Sequence, residues 1–288
     1  MNLSVVIPTF NGANTIGEQL EALATQDWTG TLEVIVSDNG STDETRVVAS
    51  RYSDRFSRFA IVDSSAVPGA AHARNVGASA ATGDCLLFCD DDDVVGDGWL
   101  EAMAAALERY PFVAARLEHR RLNPSWVNCV YSYWQQDELP VAPSFLPYAL
   151  GGSVGVWREI HDNIGGYDKA FSFPTGEDVD YCYRIQLSGT PIYFAKAAVV
   201  HYRARQSIRA IFRQFHGYGL AWVQLFEQYA SCGLRPPSQL RALASWLLLL
   251  PRLPLHLGTR ERRALWVSWL AWKLGRLEGS VRRRYLAL

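Results

Sequence analysis

The sequence predicts an α/β protein with a mostly parallel central sheet flanked by helices. Three observations carry that prediction. Short runs of Val, Ile and Leu recur without polar interruption, as in strands covered on both faces. Segments with helical spacing separate these runs. The carboxyl ends of the runs are polar and partly acidic, reading PTFNG, SDNGSTD, DSSAVPG and CDDDD.

Taken in order, LSVVIPTF (3–10) is a buried strand and NTIGEQLEALATQ (14–26) a helix. TLEVIVSD (31–38) is the second strand, and TDETRVVASRY (42–52) a helix that opens on capping-type residues. RFAIVDSS (58–65) and DCLLFCDD (84–91) are the third and fourth strands, separated by a small-residue helix over 68–81. A further helix spans 98–110. Residues 111–150 show no periodicity and read as an irregular segment laid over the sheet. Trp126, Tyr131, Tyr133, Trp134, Phe145 and Tyr148 in it are either core aromatics or platforms for sugar or base rings. In open sheets of this class, ligands bind beyond the carboxyl ends of the strands, where the acidic stretches fall.

The 288 residues suit one large domain with an appendage. The net charge of -1 conceals a division: residues 1–234 carry -10, whereas residues 235–288 carry +9. We therefore place the main α/β domain at 1–234 and a basic, Trp-rich helical region at 235–288. Five scattered cysteines without a CxxC pair indicate neither a disulfide framework nor a zinc knuckle, which suits a reducing cytosol. The amino-terminal stretch lacks the basic and long apolar regions of a signal peptide.

The run Asp90-Asp91-Asp92-Asp93 follows directly on LLFC. Adjacent carboxylates repel, and an apolar interior aggravates the repulsion. In an extended strand Asp90 and Asp92 project to the same side. Such a pair suits a hard divalent cation, Mg²⁺ or Mn²⁺, better than zinc. The plain alternative is an acidic loop before the helix at Gly98.

At this point the sequence resembles the family-2 glycosyltransferases of the GT-A fold. The resemblance rests on VVIPTFNG, VIVSDNGSTDET, GAAHARNVGASAATGD, FCDDDD, and IGGYDKAF followed by GEDVDYCYRI, in that order over about residues 3–205. It implies a nucleotide-binding half and an acceptor half. It also implies a DxD pair in Asp90 and Asp92, with Asp92 as the metal ligand and Asp90 on ribose or a metal-bound water. Pro8, Thr9, Phe10, Asp38, Arg74 and Asp91 would contact the nucleotide. Asp178 would be the catalytic base, with Glu177 orienting it or touching the acceptor. His201 would complete the metal shell, and Arg203, Arg205 and Arg209 would meet phosphates or an anionic acceptor. Each residue has a bland counterpart: an Asx turn at Asp38, helix capping by Thr175, Glu177 and Asp178, a structural histidine at 201 and a solvated face for the arginines.

The chemistry asks for these residue types. A diphosphate leaving group gathers negative charge that a Mn²⁺ or Mg²⁺ ion stabilises, and the attacking hydroxyl must lose a proton to a base. The QxxRW motif of processive synthases is absent from RQFHGYGLAWV. The resemblance therefore implies a single, inverting transfer. The donor would be a UDP-, GDP- or dTDP-sugar, with UDP commonest. The acceptor would be a glycan, lipid-linked or small-molecule hydroxyl, in glycan, polysaccharide or glycolipid biosynthesis. No nucleic-acid partner is expected, and a homo-oligomer is compatible. The alternatives are a nucleotidyltransferase, which would show a basic glycine-rich loop after the first strand, and a non-catalytic nucleotide- or sugar-binding module.

In the tail, ALASWLLLL stops at Pro251, too short to span a bilayer. TRERRALWVSWLAWKLGRL (259–277) is an amphipathic helix candidate capped by Thr259. Its Trp, Leu and Arg suit an anionic membrane interface. Peripheral contact through residues 242–285 on the cytoplasmic face is one reading, and packing against the catalytic domain the other.

Overall fold

All seven residues of β1 (Leu3–Thr9) are buried, as only an interior strand with both faces covered allows. The computed structural model describes the chain apart from residues 132–133, 143–144, 172–174, 250 and 252–257. In it, β1 pairs in parallel with β2 (Leu32–Asp38) and β4 (Cys85–Phe88), and β3 (Arg58–Asp63) extends the sheet beyond β2. Side chains alternate across this layer. Val5, Ile7, Val34, Val36 and Leu87 enter one core with α1 (Ile16–Ala24), α2 (Thr45–Ser50) and α4 (Trp99–Leu107). Val6, Ile35, Leu86 and Phe88 enter another with α3 (Ala70–Ala80) and α7 (Glu177–Leu187).

The second half of the sheet is mixed. It comprises β5 (Val94–Val95), β6 (Phe112–Glu118), β7 (Val154–Trp157) and β8 (Tyr193–His201), in the overall order β3-β2-β1-β4-β7-β6-β8-β5. β7 runs antiparallel to both β4 and β6, and β5 antiparallel to β8. The expectation of an irregular 111–150 segment is corrected here: its first part is β6, an interior strand, and Ser125–Tyr131 form α5. β6 is hidden in the sequence because its end carries Arg116 and Glu118; the register shift at Ala115/Arg116 takes up extra residues of β8. β5 and β7 are only two and four residues long, too short to display a period.

Beyond the sheet, α6 (Arg158–Asn163) precedes α7, and α8 (Ile208–Gln228) is capped by Ser207, whose hydroxyl accepts the Ala210 N–H. α9 (Gln239–Leu247) and α10 (Arg260–Arg283) follow. Thr259 caps α10 as expected, accepting from Arg262 N. α10 does not lie free: its most extensive contact is with α8. The two helices approach so closely that a Cβ on Gly219 would strike the carbonyl of Trp272, and one on Gly275 that of His216. Ala264, Ser268 and Ala271 of α10 are also buried, and Gly279 lies against Val223 of α8. Exposed apolar side chains of the tail form a stripe on α9 and the residue after it, through Leu240 (81% exposed), Leu243, Leu247 (76%) and Leu248, and recur near the end of α10 at Leu277 and Val281. Among the described residues no helix is long and apolar enough to cross a membrane.

Candidate active site

Parallel pairing brings the carboxyl ends of the first strands level: Thr9 sits beside Asp38, and Asp38 beside Asp63. Over these ends and that of β4 opens a cleft of about 580 Å³. Pro8, Thr9, Phe10, Arg74, Asp90, Asp91, Asp92, Glu177 and Asp178 all line it. Residues spread over 170 positions of sequence thus share one cavity.

The four aspartates are not extended. β4 ends at Phe88 and β5 must begin on the far edge of the sheet, so the chain turns at Asp90–Asp93. The same-side argument for Asp90 and Asp92 is corrected accordingly, and the carboxylates diverge to separate partners. Asp90 Oδ1 faces Arg74 Nη2 at 2.8 Å. Asp91 accepts the Thr9 hydroxyl, and Asp92 Oδ2 meets Arg205 Nη1 at 2.9 Å. Asp93 is buried and accepts the Arg203 backbone N–H at 2.7 Å. Even so, negative charge remains in excess. Burial, then the charge of Asp92, pushes the Asp91 carboxyl up to about 7. Asp92 is raised by burial, against the pull of Arg205, and Asp93 well raised by burial and Asp92.

Arg74 joins the two halves. Its Nη1 meets Glu177 Oε1 at 2.8 Å while Nη2 holds Asp90. Burial works against its charge, but Asp90 and Glu177 outweigh burial and raise its pKa. Arg74 Nε and Glu177 Oε2 are buried with no hydrogen-bond partner among the described residues. Backbone carries the cradle: a Cβ on Gly151 would come within 2.7 Å of Arg74 Nη2, and one on Gly152 within 2.7 Å of Asp90 Oδ2.

α7 starts at Glu177, with Gly176 as N-cap in the left-handed region at φ +97°. Thr175 makes no capping bond. Asp178 Oδ1 accepts from Val179 N at 2.8 Å and Oδ2 from Gly151 N at 3.1 Å. Burial and the neighbouring Glu177 charge raise its carboxyl to about 7, with Arg74 opposing. A carboxylate held in the first turn of a helix, titrating near neutrality, is equipped to take a proton.

Other expected residues lie elsewhere. Asp38 is buried but does not line the cleft: Oδ1 accepts Ser41 N at 3.0 Å, closing a turn, and Oδ2 pairs with Arg46 at 3.3 Å. Its neighbour Asn39 lines the cleft and accepts the Gly69 N–H at 2.8 Å. His201 presents Nδ1 to Glu118 at 2.9 Å and Nε2 to Arg121 at 3.0 Å, and does not line the cleft. Arg203 and Arg205 line it; Arg209 is exposed outside it. Tyr133 lies outside the described residues. Tyr202, Gln214 and Tyr218 also line the cleft. Nothing in their sequence context singled them out, because β8 and α8 bring them there only through tertiary packing.

Among the described residues no three His, Cys, Asp or Glu side chains converge as a ready metal cage. The donor set nonetheless fits a hard cation. Magnesium-type sites take one or two carboxylates and complete the shell with phosphate oxygens and water. Asp90, Asp91 and Asp92 offer carboxylate oxygen donors on one cleft wall.

A family model described as glycosyl transferase family 2 matches residues 4–165. The glycosyltransferase AglE of Haloferax volcanii is 26% identical over 267 residues, covering 91% of this chain and 85% of its own. Validoxylamine A glucosyltransferase of Streptomyces hygroscopicus subsp. jinggangensis is 28% identical over 66% of this chain, which spans about half (52%) of that relative's length. Among solved structures, the mannosyltransferase PcManGT of Pyrobaculum calidifontis, in complex with GDP-Man and Mn²⁺, aligns with a TM-score of 0.67 at 20% identity, over 96% of this chain and 87% of its own. S. aureus TarS 1–349 with UDP-GlcNAc aligns at 0.55 and 17% identity, over 99% and 92%.

Proposed function

Because the chain belongs to glycosyl transferase family 2 and has the GT-A fold, we propose that it moves one sugar from a nucleotide-diphosphate donor to an acceptor hydroxyl, with inversion. The observation that carries this is the meeting of Asp90–Asp92 and Asp178 in a single cleft at the carboxyl ends of the strands. The loop Pro8–Phe10, Asn39 and Arg74 line the part of the cleft suited to the nucleotide, and Phe10, 61% exposed, is free to cover a base. Asp92, with Asp90 or Asp91, would hold Mn²⁺ or Mg²⁺, which when bound offsets the charge gathering on the diphosphate. We leave His201 out of that ligand set, since both its ring nitrogens already have partners.

In the transfer the acceptor oxygen bonds to the anomeric carbon, the bond from that carbon to the diphosphate breaks, and the acceptor proton passes to Asp178. Glu177 keeps Arg74 in place beside Asp90. UDP is the first nucleotide to try, with GDP and dTDP next. A glycan, lipid-linked or small-molecule hydroxyl would accept the sugar, and the enzyme would work in the cytosol or on the cytoplasmic face of a membrane.

The test is thermal unfolding with UDP, GDP, dTDP or CDP, with and without Mn²⁺, on wild type and Asp92→Asn. Binding at a hundred times Kd stabilises by about 2.7 kcal/mol. We expect a manganese-dependent rise in Tm with one nucleotide, lost in the variant. No rise with any nucleotide would sink the proposal.

A further inference from the structure

Next to the donor cleft, past Asp178, lies a second cavity of about 160 Å³. The two share Leu150, Thr175, Asp178 and Tyr218, so Asp178 stands at their junction. The walls of the second cavity are largely aromatic: Trp134, Tyr148, Tyr218, Trp222 and Trp272. Each of these five is partly exposed. Among the described residues that line it, Asp178 is the one charged side chain.

The rings do not close on one another. Trp134 and Tyr218 meet at 65° with centroids 5.7 Å apart, Tyr148 and Trp222 at 67° and 5.8 Å, and Trp222 and Trp272 at 47° and 6.3 Å. Because all five are partly exposed and line the cavity, each leaves some ring surface open to it. Their polar edges are also uncommitted. Trp157 and Trp266 donate their indole N–H to the carbonyls of Leu107 and Leu249. Those of Trp134, Trp222 and Trp272 have no partner among the described residues.

An uncharged pyranoside matches such a wall. Its C–H face is apolar and stacks on aromatic rings, while the hydroxyl rim can accept from indole N–H and exchange hydrogen bonds with the Tyr148, Tyr218 and Thr175 hydroxyls. A phosphate or carboxylate on the acceptor would instead meet Asp178 with no cation of the cavity to receive it. Burying such an unpaired charge is costly. Arg74 and Arg205 lie in the donor cleft, already paired with carboxylates.

We propose that this cavity is the acceptor subsite and that its acceptor is an uncharged glycoside, stacked on the Trp222/Trp272 wall with one hydroxyl at Asp178. The proposal rests on the glycosyltransferase reading above. It gives the carboxyl-terminal region a part in the site, because Trp272 comes from α10. A free glycan and the sugar of a glycolipid share this chemistry.

The experiment is a tryptophan-fluorescence titration of the full chain with methyl and octyl pyranosides of glucose, mannose, galactose and N-acetylglucosamine. The uronates and 6-phosphates of the same sugars are run beside them. At least one neutral glycoside should saturate the signal and bind at least tenfold more tightly than its anionic counterparts. Trp272→Ala, and the milder Trp222→Phe, should each weaken that binding at least fivefold while leaving the nucleotide-induced rise in Tm unchanged. Tenfold tighter binding of the octyl compound would identify a lipid-linked source, and equal binding a free glycan. The proposal is overturned if nucleotide binds but no neutral glycoside does, if anionic sugars bind as well, or if both variants bind like wild type. A chain that binds the glycoside but no nucleotide would keep the cavity assignment and overturn the transferase reading.

Discussion

Arg74 and Glu177, 103 residues apart in sequence, form a buried ion pair at 2.8 Å, and the other Nη of Arg74 reaches Asp90 at the same distance. One guanidinium therefore ties the turn that carries Asp90 to the helix that carries the candidate base. Removing it would strand Glu177, which is almost wholly buried, without compensation.

Arg74→Met should accordingly lower stability by about 3 kcal/mol or more, the usual cost of breaking a buried pair on one side. Urea unfolding of Arg74→Met, Glu177→Met and the double variant measures the coupling. The double variant should recover part of the loss. Purely additive losses would show that the pair contributes nothing beyond its members.

Asp178→Asn should cut transfer by about a hundredfold or more, the range of a positioned base, with donor binding unchanged. Burial and Glu177 raise its carboxyl to about 7, so a base at Asp178 must lose its proton near that pH before it can act. The rate of transfer should therefore rise with pH through a midpoint near 7. A flat profile between pH 5 and 8, estimated to bracket that midpoint, would remove Asp178 from the role.

His161 makes the opposite kind of prediction. It is buried, its Nδ1 is 2.9 Å from the Tyr181 hydroxyl, and burial lowers its pKa to about 4. The unfolded chain takes up this proton near pH 6.5, the folded chain only near 4, so the contribution is complete above 6.5 and is lost as pH falls toward 4. The loss amounts to roughly 3 kcal/mol. Unfolding free energies of wild type and His161→Gln at neutral and mildly acid pH should converge as pH falls. A constant gap would show that His161 is not the group responsible.

The exposed stripe Leu240, Leu243, Leu247 on α9 belongs to a tail region of charge +9. If it rests on a lipid surface, the chain should sediment with vesicles containing anionic phosphatidylserine and much less with neutral ones. Leu240→Ser with Leu247→Ser should release it at least severalfold without lowering Tm. Equal sedimentation of wild type and variant would remove α9 from any membrane contact.

The first half of the fold was legible because β1, β2 and β4 are buried on both faces and so read as unbroken apolar runs. β6 was not, since Arg116 and Glu118 at its end interrupt the apolar run of an interior strand. Asp90–Asp92, Arg74 and Asp178 could be found from local motifs, each placed at the end of a strand or the start of a helix. Tyr218, Trp222 and Trp272 could not: nothing local on α8 and α10 marks them as one site, and only the packing of those helices brings them into one cavity with Asp178. The crossing of the two helices also shows that the 259–277 helix packs on the protein. Its Trp and Leu residues resemble a membrane-surface helix, but its small residues face α8.

The Gly219–Gly275 contact also bears on how this chain can be recombined with its relatives. Backbone meets backbone there, so a chimaera joined after residue 234 has to match the partner's glycines as well as its loops. A graft that seats correctly carries Trp272 with it. If the aromatic cavity is the acceptor subsite, shuffling the carboxyl-terminal region should change which acceptor is chosen without changing which nucleotide binds.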